Sequence, residues 1–195
     1  MLKIGITGGI GSGKSVVSQL FTVLGIPVYV ADTESKKLTA TSPVIRIKLI
    51  ELFGDSLYKD DVLDKKLLAS YIFNDPYKLK AVNAIIHPEV EKHFLNWLYL
   101  HRSCEIVAHE AAILFESGLN ALMDKVIMIY APIEKRINRV MERDNISPDK
   151  VMERINNQMP DEDKAALSDY IIYNDDKRSL IEQTINTINI LRYNN

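Results

Sequence analysis

The sequence has one cysteine, Cys104, among 195 residues, so no disulfide can form within the chain and a reducing, cytoplasmic setting is expected. It has almost no charge excess. Its 24 Lys and Arg against 26 Asp and Glu leave a net charge of −2, too little for a general affinity to nucleic acid or an anionic membrane. No apolar run approaches the ~20 residues of a membrane span. Met1 leads straight into a strand-like segment, so no signal peptide is expected. No His/Cys cluster has zinc-ligand spacing, and repeats, low-complexity tracts and Gly/Ser linkers are missing. What is present is ordinary for a folded protein, 47% hydrophobic and 26% charged residues. The length suits one compact domain with room for an inserted sub-domain, stable without disulfides or structural metal.

Residues 2–7, 27–30, 105–109, 125–130 and 170–173 are short, continuous and rich in Ile, Val or Tyr. That pattern suits strands covered on both faces, as in a parallel sheet. Helical segments separate them, so the chain reads as an α/β layered fold. Between Val30 and Glu105 lie about 75 residues, far more than a crossover needs, and they read as helical throughout. Ser42-Pro43 is an N-cap and first-turn pair, Gly54 a stop, and Asp75-Pro76 opens a second helix. Pro88 is expected to start a third, running to about His101. A second excursion, 134–167, carries Lys135, Arg136, Arg139, Arg143, Arg154 and Lys164. The last strand and a closing helix near 179–193 follow it. One excursion is expected to hold a substrate and the other to close.

The strongest motif is Gly8-Gly9-Ile10-Gly11-Ser12-Gly13-Lys14-Ser15. It fits G-x-x-x-x-G-K-S, with a strand before it and an apolar-periodic helix after it (Val16, Val17, Leu20, Phe21, Leu24). Glycines let the backbone wrap phosphate oxygens, and the N–H groups at the helix start face the anion. Lys14 would reach the β- and γ-phosphates, and the Ser15 hydroxyl would ligate Mg²⁺. A nucleoside triphosphate, taken as ATP, is therefore the expected co-substrate. No Asn-Lys-x-Asp motif for guanine is present, which disfavours a GTPase switch. A short chain with a helical insertion and a basic later segment suits a small-molecule kinase, whose closure would exclude water.

The chain resembles the dephospho-CoA kinase family across nearly its whole length. The matching pieces are Ile4 to Ser15, Val30-Ala31-Asp32, His87-Pro88, Ile113 to Leu119, Arg139 with Arg143-Asp144, Gln158, and Ser168 to Asn174. Three departures stand out. The family's Asp-x-Pro-Leu-Leu-Phe-Glu is here Glu110-Ala111-Ala112-Ile113-Leu114-Phe115-Glu116, its Asp-Ala-Asp is Val30-Ala31-Asp32, and its glutamine early in the basic segment is Arg136. The resemblance implies a three-layer P-loop kinase fold with a five-stranded parallel sheet, a helical substrate-binding insertion and a helical lid. The core would comprise 1–31, 105–133 and 168–195, the insertion 32–104 and the lid 134–167. It implies transfer of the ATP γ-phosphate to the 3′-hydroxyl of dephospho-CoA, the last step of coenzyme A biosynthesis. Another nucleoside, nucleotide or small-molecule kinase is the alternative. A monomer or weak homo-oligomer is expected, without nucleic acid or membrane partners.

Residue roles follow from the same source. Asp32, Lys14 and Arg139 would be catalytic, Asp32 by accepting or orienting the acceptor's proton; a helix N-cap is its structural alternative. Gly9, Gly11, Ser12, Gly13, Lys14, Ser15, Val16, Arg143 and Asn174 would hold ATP, with a turn role open for Asn174. Arg139 and Arg143, four apart, share a helix face and could clamp the transferring phosphoryl; a solvated face paired with Glu142 or Asp144 is the alternative. Thr7, Asp32, His87, Leu114, Phe115 and Glu116 would meet dephospho-CoA. Ser15 would bind Mg²⁺ directly and Glu110 through water, unless Glu110 is an ordinary strand-end carboxylate. Arg136, Lys135 and Arg154 read as surface charge, and Trp97 as core packing.

Overall fold

The computed structural model describes residues 1–59, 61–73 and 75–193. They form two compact units, Met1–Val30 with His101–Asn195, and Ala31–Leu100.

The larger unit is built on strands β1 (Leu2–Thr7), β2 (Val28–Val30), β5 (Ile106–Glu110), β6 (Lys125–Tyr130) and β7 (Tyr170–Tyr173). They form a parallel sheet in the order β2-β5-β1-β6-β7. Central β1 pairs Ile4 with Ala108 on one side and with Lys125 on the other. The chain after β1 runs to β2 and β5 on one side, and the later strands lie on the other. The C-terminal end of β1 is thus where strand order reverses, the place at which open α/β sheets put their ligands.

Helices α1 (Lys14–Val23) and α9 (Leu180–Tyr193) cover one face. Val17, Phe21, Ile188 and Leu191 join Ile4, Ile6, Ile127, Ile129 and Ile172 in the core. Each such side chain withdrawn from water contributes about 1.5–3 kcal/mol. On the other face, Leu114, Met123 and Val126 crowd Gly5 so closely that a Cβ there would lie 2.6 Å from Leu114. Burial on both faces explains the continuous apolar runs. Helices α6 (Ile133–Asp144), α7 (Pro148–Asn156) and α8 (Asp161–Ala166) lie between β6 and β7.

The smaller unit holds α2 (Ala31–Thr41), α3 (Pro43–Phe53), β3 (Tyr58–Lys59), β4 (Val62–Leu63), α4 (Lys65–Ile72) and α5 (Pro76–Leu100). Ser42 caps α3 by accepting from the Ile45 amide, and Gly54 ends it at φ 86°. Two features differ from expectation. β3 and β4 form an antiparallel hairpin, Tyr58 opposite Leu63, in a stretch expected to be helical. Two-residue strands are too short to print an alternating pattern. Pro88 lies inside α5 instead of opening a helix. Its ring removes one helix hydrogen bond, but Val82, Ile86, Val90 and Phe94 bury one face on both sides of it. Among the described residues, no helix is long and apolar enough to cross a membrane.

Candidate active site

Beyond Thr7, the loop 8–13 is closed by its own side chains. Lys14, 9% exposed, folds back to donate from Nζ to the carbonyls of Gly8 at 2.9 Å and Gly9 at 3.2 Å. The Ser12 amide donates to the Gly9 carbonyl at 3.1 Å. Gly13 sits at φ 100° as the N-cap of α1, where no side chain caps the helix. Left-handed backbone favours glycine there, and a Cβ would also strike the Asn174 amide nitrogen. At Gly9 a Cβ would strike the Arg136 guanidinium. The loop glycines therefore make room for the protein's own side chains as well as for an anion.

Two polar atoms fit the expected guest. Thr7 Oγ1 and Ser12 Oγ are buried without a hydrogen-bond partner among the described residues, and an orphaned hydroxyl needs a ligand or water. With Lys14 and the start of α1, they suit a polyphosphate. Ser15 and Val16 are exposed in the first turn of α1, so the Ser15 hydroxyl is available to a hard cation such as Mg²⁺. Glu110 ends β5 level with Ile6 and Val30, one residue short of the strand end from which the loop departs.

The basic excursion divides. Arg139 turns to the loop, its guanidinium 3.5 Å from the Gly11 carbonyl and 3.4 Å from both Asn174 Oδ1 and Asp176 Oδ1. Asn174 follows β7 and donates to the Ser12 carbonyl at 2.8 Å. Arg143 instead grips Asp144 through two bonds, 2.7 and 3.0 Å, and Arg154 binds the same carboxylate at 2.6 Å. The Arg143 contact foremost, with Arg154 adding to it, holds the Asp144 carboxyl down to about 2 against the opposing effect of burial. The two arginines share a helix but not a partner.

Two further side chains meet the loop, neither given a site role by the sequence. Arg136 is 2% exposed, bonded to the Ile10 carbonyl at 2.9 Å and paired with Asp161. Gln158 accepts from the Ile10 amide at 2.8 Å. The available signal was the helical spacing of Arg136 and Val140, which are both buried on α6.

The segment after β5 is also more enclosed than expected. Leu114 is fully buried against Gly5, so in this state it supports the sheet and presents no surface to an acceptor. Phe115 is half-buried. Glu116 accepts from the Met159 amide at 2.8 Å and pairs with Lys164 at 3.0 Å. Burial works to raise its carboxyl, but those two bonds outweigh it and hold the group below its ordinary value. Lys164, 0% exposed, also donates to the Ala112 carbonyl at 2.6 Å. Asp32 and His87 belong to the smaller unit. Asp32 is exposed in the first turn of α2, inside the helix and not at its N-cap, and His87 is exposed on α5 beside Pro88.

A parallel sheet whose reversal point carries a glycine-lined anion loop, backed by arginine-bearing helices, defines a P-loop kinase. Comparison with known proteins narrows this. Residues 2–179 match the family described as CoaE: Dephospho-CoA kinase. A dephospho-CoA kinase of Bacteroides fragilis is 48% identical over 191 residues, 97% of this chain and 93% of that one. One from Porphyromonas gingivalis is 43% identical over 195 residues, 98% and 95% of the two chains. A crystal structure of a Thermus thermophilus protein superposes with a TM-score of 0.83 at 33% identity, covering 98% of this chain and 97% of that one. The chain belongs to the dephospho-CoA kinase family and is an ATP-dependent kinase of coenzyme A biosynthesis.

Proposed function

We propose that this chain transfers the γ-phosphoryl of ATP to the ribose 3′-hydroxyl of dephospho-CoA through the residues below. The observation that carries the assignment is the loop from Gly8 to Ser15, with its buried, unsatisfied Thr7 and Ser12 hydroxyls, in a chain matched to the family over 2–179. The loop amides and Lys14 bind the β- and γ-phosphates, and Arg139 and Asn174 hold the loop's far side. The 31–100 unit takes dephospho-CoA, with Asp32 and His87 as its polar contacts and Phe115 shaping the acceptor pocket. The 134–167 segment acts as the lid.

In the transfer, the 3′-oxygen forms a bond to the γ-phosphorus while the bond from that phosphorus to the β,γ-bridging oxygen breaks. The hydroxyl proton passes to the Asp32 carboxylate, and ADP carries away the bond's electron pair. Lys14 and Arg139 offset charge on the moving phosphoryl. Mg²⁺ would be held by Ser15, with Glu110 through water, and would neutralise charge on the triphosphate. The chemistry suits the cytoplasm, where ATP is abundant.

The test is mass spectrometry of dephospho-CoA incubated with ATP, Mg²⁺ and the purified protein. A gain of one phosphate on the ribose, with CMP, UMP and shikimate unmodified, is expected. Phosphorylation of another acceptor in preference, or ADP release without a phosphorylated product, overturns the assignment.

A further inference from the structure

The phosphate loop is gripped from the side of the basic excursion by side chains the transfer chemistry leaves unused. Arg136 stands in the first turn of α6, its side chain 3% exposed, and its partner Asp161 at the start of α8 is 18% exposed. A buried guanidinium demands a partner, and its planar fork fixes direction as well as charge. Here Nη1 binds Asp161 while Nε binds the Ile10 carbonyl at 2.9 Å. Gln158, between α7 and α8, accepts from the amide of the same residue at 2.8 Å. Both backbone polar groups of Ile10 are thereby held by side chains from the 134–167 segment. The α6 backbone closes in too: a Cβ on Gly11 would lie 2.6 Å from the Arg136 carbonyl oxygen and 2.9 Å from Val140.

An anion cradle works only if its peptides are held in direction before the ligand arrives. We propose that Arg136, fixed by Asp161, and Gln158 are positioning residues that set the Ile10 peptide of the phosphate loop and couple nucleotide affinity to the placement of the 157–166 segment. This rests on the ATP-binding role given to the loop above. Neither side chain has to touch the acceptor, so the coupling acts on ATP and not on dephospho-CoA.

The test uses the full-length chain and its Arg136→Met, Arg136→Lys, Asp161→Asn and Gln158→Ala variants. ATP dissociation constants come from displacement of a fluorescent ATP analogue, and KM for each substrate from initial rates. Hydrogen exchange reports the Ile10 amide. Losing the charge-assisted Arg136 bond or the neutral Gln158 bond to the loop should weaken ATP binding about tenfold in Arg136→Met and in Gln158→Ala. The ATP KM should rise in step and Ile10 exchange should accelerate, with the dephospho-CoA KM within about twofold of wild type. Arg136→Lys should not restore affinity, because one ammonium cannot serve both Ile10 and Asp161 in the fork geometry. The Arg136→Met/Gln158→Ala double variant should lose less than the product of the two single losses, since both act on one residue. Unchanged ATP affinity in Gln158→Ala, restoration by Arg136→Lys, or an equal rise in both KM values overturns the proposal. Gln158 is only half-buried, so its variant decides the matter even if Arg136→Met fails to fold. Wild-type protein that transfers phosphate beside variants of unchanged affinity sinks the positioning role alone; wild-type protein that does not bind ATP sinks both.

Discussion

The Asn174 side-chain amide occupies the space that a Cβ on Gly13 would need, while donating to the Ser12 carbonyl at 2.8 Å. The end of β7 and the phosphate loop are therefore fitted to one another across the sheet edge. Gly13→Ala meets two penalties, the clash with Asn174 and the left-handed φ of 100°. It should lose about 1–3 kcal/mol of stability by urea denaturation and most of its ATP affinity. Adding Asn174→Ala should recover part of the stability by relieving the clash, though not the part due to backbone strain. A double variant no more stable than Gly13→Ala would count against the clash.

Lys14 and Asp32 carry the chemistry in the proposed transfer, and their losses should show in turnover. Lys14→Ala and Asp32→Asn should each lower kcat at least ~10²-fold, the scale of removing a positioned catalytic group. Initial rates at saturating ATP and dephospho-CoA check this. Asp32→Asn activity within threefold of wild type would reject its role as proton acceptor.

The sheet and the loop were legible because their signals are local and redundant. Buried strands such as β1 and β6 are unbroken apolar runs, and the loop combines glycine spacing with a strand before it and a helix after it. The β3–β4 hairpin was not legible, because its pairing, Tyr58 with Leu63, spans too few residues for a period to appear. The destinations of the long cations were hidden for another reason. Arg136, Arg139 and Arg143 lie on one helix, and spacing ranks them alike. Their partners are set by distant chain: Ile10 and Asp161 for the first, Asn174 and Asp176 for the second. Only Arg143 finds its partner next door, at Asp144. Helical periodicity predicts which side a residue faces, not what waits there.

Glu116 is bound from two directions, by the Met159 amide and by Lys164, so its variant should reveal structure before substrate. Lys164 is fully buried, and removing its carboxylate partner leaves that ammonium donating to the Ala112 carbonyl with its charge uncompensated. Glu116→Ala should destabilise the fold by about 2–3 kcal/mol, below the full cost of breaking a wholly buried pair because the carboxylate is 23% exposed. Its depressed pKa means this contribution is complete above the ordinary carboxyl range and fades as pH falls through the lowered value. Thermal or urea unfolding measures it. An unchanged stability with a raised dephospho-CoA KM would instead favour direct contact with the acceptor.

His109 offers a pH test confined to the core. It lies on β5, 1% exposed, its ring stacked on Tyr29 with centroids 5.3 Å apart. Burial depresses its pKa from 6.5 to about 4, because the charged imidazolium is poorly solvated there. In the unfolded chain the same group protonates near its ordinary value, so between those limits the unfolded state binds more protons. Stability contributed by the neutral ring is therefore complete above about pH 6.5 and is lost as pH falls toward 4. By pH 5 the loss should reach about 2 kcal/mol, at roughly 1.4 kcal/mol per unit below the ordinary pKa. His109→Phe keeps an aromatic ring against Tyr29 and removes the proton site. Urea denaturation of both proteins at pH 7.5, 6 and 5 isolates the effect, since the carboxylates titrate alike in each. Wild type should fall relative to His109→Phe across that range; parallel profiles would mean the imidazole is protonated as readily in the folded protein as outside it.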